Sequence, residues 1–384
     1  MIIKYFINIL RFFLKTNKKY IVYSSFPDVS DNSFALFCYS INNDKTKKNV
    51  WLVNNINNKK NYLKLISNYT KETNFLIIKK KSLLGFYYFC KAKYIFHTHG
   101  LFNTLTLSKK QININLWHGM PLKNIGFLDA NKNTVQKSNY VIVTSNIFKE
   151  ILSKAFKHKK KNVLVLGQPR NDFMFTKKYS LHDLIDTSFK KPKNSILWMP
   201  TFRESKIGDI RKDGERKKMN DFLTHDYLKT LNLYLKKTET VCYIKLHPMD
   251  YMDVTDFENY SNIYFINNSC FEKKGISLYS VLSSADLLLT DFSSIYIDYL
   301  LLDKPIGFVF SDYDEYFNSR GFIFENPKKY MPGEIITDRK NLIPFLENTF
   351  TEEKDFYKEK RKEINNLFNE QKTNFSKRVF DRFS

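Results

Sequence analysis

Short apolar runs punctuate the chain, with longer mixed stretches between them. The β-branched and aromatic run at 20–23 predicts a strand, as do the runs at 50–53, 74–78, 93–96, 112–116, 140–145 and 163–166. Helical spacing of apolar positions lies between them, at 32–41 and 146–156 among others. The second half repeats this logic, with strands predicted at 195–199, 241–246, 263–266, 286–290 and 304–310, and a helix over 291–302. Strands alternating with helices imply a mostly parallel sheet covered on both faces, hence an α/β fold class.

A polar stretch at 177–194 divides the halves, giving an N-terminal domain over 20–180 and a C-terminal one over 190–350. Residues 351–384 predict one or two amphipathic, strongly charged helices, and residues 204–220 a charged surface loop. Residues 1–19 are apolar and aromatic, but Lys4, Arg11, Lys15, Lys18 and Lys19 interrupt them. No run reaches the ~18 apolar residues of a spanning helix, and no small-residue cleavage site marks a signal peptide. Two readings stay open for this segment: a basic helix lying in a membrane interface, or a first helix packed on the protein's own core.

Composition changes the picture in two ways. The 384 residues, 43% of them hydrophobic, suffice for two cores. The 62 basic and 39 acidic side chains leave a formal charge of +23, which favours nucleic acid, an anionic membrane surface or phosphate-rich substrates. No compact aromatic–basic RNA-binding motif appears, so nucleic acid is not the expected partner. Cys38, Cys90, Cys242 and Cys270 are scattered, which argues against a disulfide framework or a zinc site and suits a reducing cytoplasm.

The candidate chemistry gathers where predicted strands end. Trp117-His118-Gly119-Met120-Pro121-Leu122-Lys123 follows a strand and breaks into a turn. Histidine exchanges a proton readily near neutral pH, and Lys123 adds positive charge; the bland alternative is a structural histidine in a turn. His97 and His99 follow a strand directly; at i and i+2 they face the same side of an extended chain and could chelate a metal, but two ligands are too few and no third is visible, so a polar lining of the cleft is the expectation. In the second half Pro200-Thr201-Phe202-Arg203 and His247-Pro248 end strands. Thr290-Asp291-Phe292-Ser293-Ser294 opens a helix whose free N–H groups favour a phosphate, against the alternative of ordinary helix capping. Asp298 stands seven residues before Pro305. This resembles nucleotide-sugar transferases with two facing Rossmann-like domains, where an acid grips the donor ribose.

Together the 117–123 motif, Gly167-Gln168-Pro169-Arg170-Asn171-Asp172, Pro200-Thr201-Phe202-Arg203, Lys245-Leu246-His247-Pro248, Thr290-Asp291-Phe292-Ser293-Ser294, Arg320-Gly321-Phe322 and Met331-Pro332-Gly333-Glu334 resemble the CDP-glycerol glycerophosphotransferase family of teichoic acid primases and polymerases and related capsule polymerases. Met120 stands where that family often has Thr, and Glu334 where it often has Pro. The resemblance implies two facing Rossmann-like domains of the GT-B glycosyltransferase type, with the active site in the interdomain cleft. It implies a CDP-glycerol or CDP-ribitol donor, an acceptor hydroxyl on a lipid-linked saccharide or growing polymer, and release of CMP at the cytoplasmic face of the bacterial membrane. The family's two essential histidines carry over onto His118 and His247, and its donor-phosphate helix onto Asp291, Ser293 and Ser294. Gly119, Lys123, Arg203, Thr290 and Asp298 complete the expected substrate-binding set, with no cofactor and no dedicated metal motif. A GT-B glycosyltransferase using a nucleotide sugar is the alternative, separated by its product: a nucleoside diphosphate in place of CMP.

Overall fold

The apolar runs become strands because both of their faces are covered. In the computed structural model residues 14–383 are described, apart from 104, 106–107, 130–133, 186–190, 201–220, 246–259 and 311–320. Among them, β1 (Asn17–Ser24), β2 (Lys48–Val53), β3 (Phe75–Lys79), β4 (Ala92–His97), β5 (Ile112–Asn115), β6 (Tyr140–Val143) and β7 (Val163–Val165) form one sheet. Its order is β3-β2-β1-β4-β5-β6-β7, parallel throughout. Side chains alternate between the faces. Val22, Val50, Leu52 and Ile95 pack with Phe86 and Phe89, while Tyr23, Trp51, Val53 and Phe96 pack with Phe34 and Phe37. Much of the aromatic content is spent here, as in the Tyr23 ring 5.5 Å from Trp51 and 5.9 Å from Phe96.

The second half forms β8 (Asn194–Met199), β9 (Thr240–Lys245), β10 (Ile263–Ile266), β11 (Leu287–Thr290), β12 (Ile306–Val309) and β13 (Glu334–Ile336). Their order is β10-β9-β8-β11-β12-β13, again parallel. In each sheet the chain reverses direction of growth beside its first strand, between β1 and β4 and between β8 and β11. Open parallel sheets leave a crevice beyond the carboxyl ends of the strands at such a point. His99, His118 and Ser293 all follow strand ends of this kind.

The last helices do not form a segment of their own. Asp172 of the first domain accepts the N–H groups of Phe375 at 3.0 Å and Ser376 at 2.7 Å, capping the helix Phe375–Phe383. The Phe383 ring then lies 6.1 Å from Phe96 and 5.2 Å from Tyr140, so this helix packs on the first sheet.

Four expectations change. Residues 17–19 belong to β1, so the proposed N-terminal helix cannot include them; residues 1–13 lie outside the described set. The helix expected over 291–302 is α-helical only at Ile295–Tyr299, then tightens to a 3-10 turn at Leu300–Leu302 and stops at Asp303, whose φ is 50°. Glu334–Ile336, short and opened by an acid, is a strand that no apolar run predicted. His97 does not line a cleft: it is fully buried, and its Nδ1 accepts the N–H of Gly100 at 2.9 Å. Burial pushes its pKa down to about 3, leaving a neutral core histidine.

Candidate active site

The turn after β5 is pinned from several sides. Asn115 Oδ1 accepts the N–H of Trp117 at 2.9 Å, and Asn32 Nδ2 donates to the Trp117 carbonyl at 2.9 Å. Trp117 sits at φ 57°, which turns the chain sharply and brings out His118. The His118 ring is half-buried, 3.9 Å from the Trp117 ring and stacked at 4.0 Å and 12° on His99. Its Nδ1 lies 3.2 Å from the carbonyl oxygen of Thr98. A carbonyl only accepts, so that bond requires the proton on Nδ1 and leaves Nε2 as the basic atom of the neutral ring.

The second-domain side begins at the end of β11. Thr290 is fully buried and its hydroxyl donates to the Met199 carbonyl at 2.8 Å, tying β11 to β8. Expected to bind substrate, Thr290 is therefore spent on holding the switch point together. Asp291 is also buried, whereas Ser293 and Ser294 are half-exposed at the helix start. Ser294 occupies the cap position without making a side-chain capping bond. Ser293 Oγ is 3.5 Å from the N–H of Ile295, at the limit of a hydrogen bond. Ordinary capping therefore accounts poorly for the serine pair.

The two halves meet at Gly119. Its φ is 145°, and a Cβ there would lie 2.5 Å from Ser294 Oγ. A side chain here would strain the backbone and force Ser294 Oγ to move. A second seam joins the domains nearby: Ile323 N–H donates to the Leu122 carbonyl at 2.9 Å, and Lys123 pairs with Phe322 in an antiparallel bridge. The Gly321-Phe322 part of the family-like motif is thus a strap across the cleft.

Beneath this contact lies an ionic clasp that sequence reasoning missed. Arg170 Nη1 donates to Asp31 Oδ1 at 2.8 Å and to the His118 carbonyl at 3.0 Å. Its Nη2 donates to Asp298 Oδ2 at 2.7 Å. Asn171 Nδ2 reaches Asp298 Oδ1 at 3.0 Å, and the Tyr279 hydroxyl reaches Oδ2 at 2.9 Å. Both carboxylate oxygens of Asp298 are thereby taken and the side chain is 2% exposed, so it faces the protein in place of a ribose. Burial alone would lower the Arg170 pKa, but Asp298 and Asp31 outweigh it and hold the guanidinium above its usual range. Burial likewise keeps the Tyr279 hydroxyl protonated, as a donor to Asp298. The available signal was the arginine in Gly167-Gln168-Pro169-Arg170-Asn171-Asp172, since a buried arginine demands acidic partners. Spacing could not tell which acids those were.

Arg203 and His247 lie outside the described residues. Among the described residues no cluster of three or more His, Cys, Asp or Glu side chains is placed to hold a metal ion.

Known proteins resemble this chain in sequence and in fold. Residues 4–383 match the family described as CDP-glycerol:poly(glycerophosphate) glycerophosphotransferase. A teichoic acid glycerol-phosphate transferase of Staphylococcus aureus (strain NCTC 8325 / PS 47) is 27% identical over 360 residues, covering 86% of this chain and 84% of its own. The teichoic acid ribitol-phosphate polymerase TarL of the same organism is 28% identical over 275 residues. That match covers 67% of this chain but 46% of the polymerase, so the chain spans about half the length of that relative. The structure of the wall teichoic acid polymerase TagF has the same fold, with a TM-score of 0.74 at 20% identity over 98% of this chain and 92% of that one. The fold is therefore of the GT-B type, with two parallel sheets facing across a cleft. A family match that runs from residue 4 to residue 383 leaves out neither domain, and the chain belongs to the CDP-glycerol:poly(glycerophosphate) glycerophosphotransferase family.

Proposed function

We propose that the chain transfers glycerol phosphate or ribitol phosphate from the matching CDP-polyol to a hydroxyl of a lipid-linked saccharide or growing teichoic-acid-type polymer, releasing CMP. What supports the reading is the contact between Gly119 and Ser294, which brings a turn carrying a proton acceptor against a helix start carrying hydroxyl donors. The names of the relatives cover both polyols, so both donors are included.

In this reading the acceptor oxygen bonds to the phosphorus that bears the polyol. The bond from that phosphorus to the bridging oxygen breaks, and CMP leaves with the electron pair. The acceptor proton passes to Nε2 of His118. Ser293, Ser294 and the N–H groups at the helix start donate to the diphosphate. Lys123 offers charge to an acceptor phosphate. Arg203 adds charge on the donor side, and His247 stabilises the transferring phosphate or protonates the leaving CMP. Asp298 acts through Arg170, fixing the carbonyl of His118. The enzyme works peripherally at the cytoplasmic face of the membrane, drawn to its anionic surface; among the described residues no helix is long and apolar enough to cross it.

Incubation with CDP-glycerol and, separately, CDP-ribitol, with products weighed by mass spectrometry, tests the proposal. CMP and an acceptor heavier by one polyol phosphate are expected. Release of CDP would mean attack at carbon and would overturn phosphotransfer.

A further inference from the structure

Three consecutive polar residues end β4 and enter its turn, and each has a different place. His97 is sealed in the core, where its Nδ1 accepts the Gly100 N–H at 2.9 Å and closes the turn; Gly100 completes it at φ 83°. Thr98 is fully buried too, and its N–H donates to the Ser24 carbonyl at 3.3 Å. His99 is half-buried, with its ring laid on that of His118.

Backbone and side-chain bonds tie this turn to the one after β5. The Leu116 N–H donates to the His97 carbonyl at 2.8 Å, and Nδ1 of His118 donates to the Thr98 carbonyl at 3.2 Å. Thr98 Oγ1 lies 2.8 Å from Nδ1 of His99. One buried threonine therefore orients both imidazoles, which lie face to face at 4.0 Å and 12°. Phe26, from the loop after β1, meets His99 edge-on at 5.7 Å and 71°. The arrangement has two physical consequences. A ring held by one nitrogen and along one face keeps its other nitrogen in a set direction. Two imidazoles at this separation also cannot both hold a proton without like-charge repulsion, so charge on one disfavours charge on the other.

We propose that His99 is a positioning residue for phosphotransfer: its ring fixes the direction of the His118 imidazole, and its charge keeps His118 unprotonated as the solution turns acid. This rests on the reading above, in which His118 takes the acceptor proton. A base that is already protonated cannot take that proton, so the pair widens the pH range in which His118 works. Other charged groups face the pair from neighbouring elements. The Arg170 guanidinium donates to the His118 carbonyl at 3.0 Å and is itself paired with Asp31 and Asp298. Lys80 acts with His99 on His97, whose pKa falls through burial first and through these two charges second. Asp28, in the loop that carries Phe26, is engaged with Asn54 and Asn55. Asp291 is buried at the end of β11, and Lys123 stands further along the His118 turn. His99 differs from all of these in lying ring on ring with His118.

The test uses the full chain, with isotope-labelled histidine for NMR titration of the His118 ring and CMP release from CDP-glycerol or CDP-ribitol for kinetics. His99→Phe keeps a ring face and removes the charge. It should raise the pH at which His118 titrates, and with it the acid limb of kcat/KM, by about one unit. Its kcat on the alkaline side of that limb should stay within about twofold of wild type. His99→Ala removes both face and charge: the limb should rise as far, and kcat should also fall about tenfold at an unchanged donor KM. Melting temperatures check the fold of each variant, and His99→Leu replaces His99→Ala if the latter unfolds. A His118 titration that is the same in the wild type and His99→Phe overturns the proposal, as does a wild-type kcat in His99→Ala. A loss of kcat and stability together, with the acid limb unmoved, would make His99 structural and overturns it too. Absence of CMP release by the wild type from either CDP-polyol, with the His118 titration still dependent on His99, would remove the phosphotransfer reading and leave the coupled histidine pair standing.

Discussion

The cleft has two levels that use charge in opposite ways. In the lower one, Arg170, Asp31 and Asp298 are mutually paired, with Arg170 and Asp298 almost fully out of water. In the upper one, His118, Ser293 and Ser294 are half-exposed, and the serine hydroxyls do little for the fold. The levels touch: Arg170 holds the carbonyl of His118, and Asp298 sits one turn beyond Ser294 on the same short helix. Desolvated charges tolerate no unpaired partner, so the lower level suits alignment of the two domains. A group that must accept a proton or grip a passing phosphate needs access, which the half-exposed upper level retains.

Breaking the lower level should have the largest effect. Arg170→Ala leaves Asp298 buried without its counterion and should cost about 3–5 kcal/mol of stability, read by urea denaturation. Turnover should fall with it, since the His118 turn loses its anchor. An unchanged unfolding midpoint would mean that the clasp does not hold the domains together. His118→Ala should do the reverse: turnover falls about 10²–10⁴-fold while the unfolding midpoint and CDP-glycerol binding stay near wild type. Near-normal turnover in that folded variant would make His118 structural and move the chemistry elsewhere. The smallest change is expected from Ser293→Ala and Ser294→Ala. Each removes about 1 kcal/mol of hydrogen bonding to the donor, and so should raise its KM about five-fold at nearly constant stability. If both serine variants keep the wild-type donor KM, the helix start is not the diphosphate site.

The same contrast explains which residues were legible in the sequence. His118, Ser293 and Ser294 stand in turns directly after apolar runs, and strand ends of parallel sheets are where ligands bind. Local pattern made them candidates beside an ordinary structural alternative, and the family resemblance supplied their expected roles. Thr290 and Asp298 carry the same local signal, yet the fold turns both inward, onto Met199 and onto Arg170, Asn171 and Tyr279. His97 and His99 look alike in the sequence. One is sealed in the core as a neutral ring, and the other stacks on His118.

What the sequence determined by itself was the alternation of strands and helices, because burial on both faces writes each strand as a continuous apolar run. Two strands among the described residues depart from it: β5 alternates Ile with Asn, and Glu334–Ile336 is too short and too polar at its start. Tertiary structure alone decided the partners. Asp31, Arg170, Tyr279 and Asp298 are scattered along the chain, and nothing periodic relates them. They meet because two switch points close on each other, and because a buried guanidinium is stable only where separate segments bring it carboxylates. The approach of Gly119 to Ser294 has the same origin: each residue is locally an ordinary turn, and only the packing of one domain against the other turns a missing side chain into the space where the two halves of the site meet.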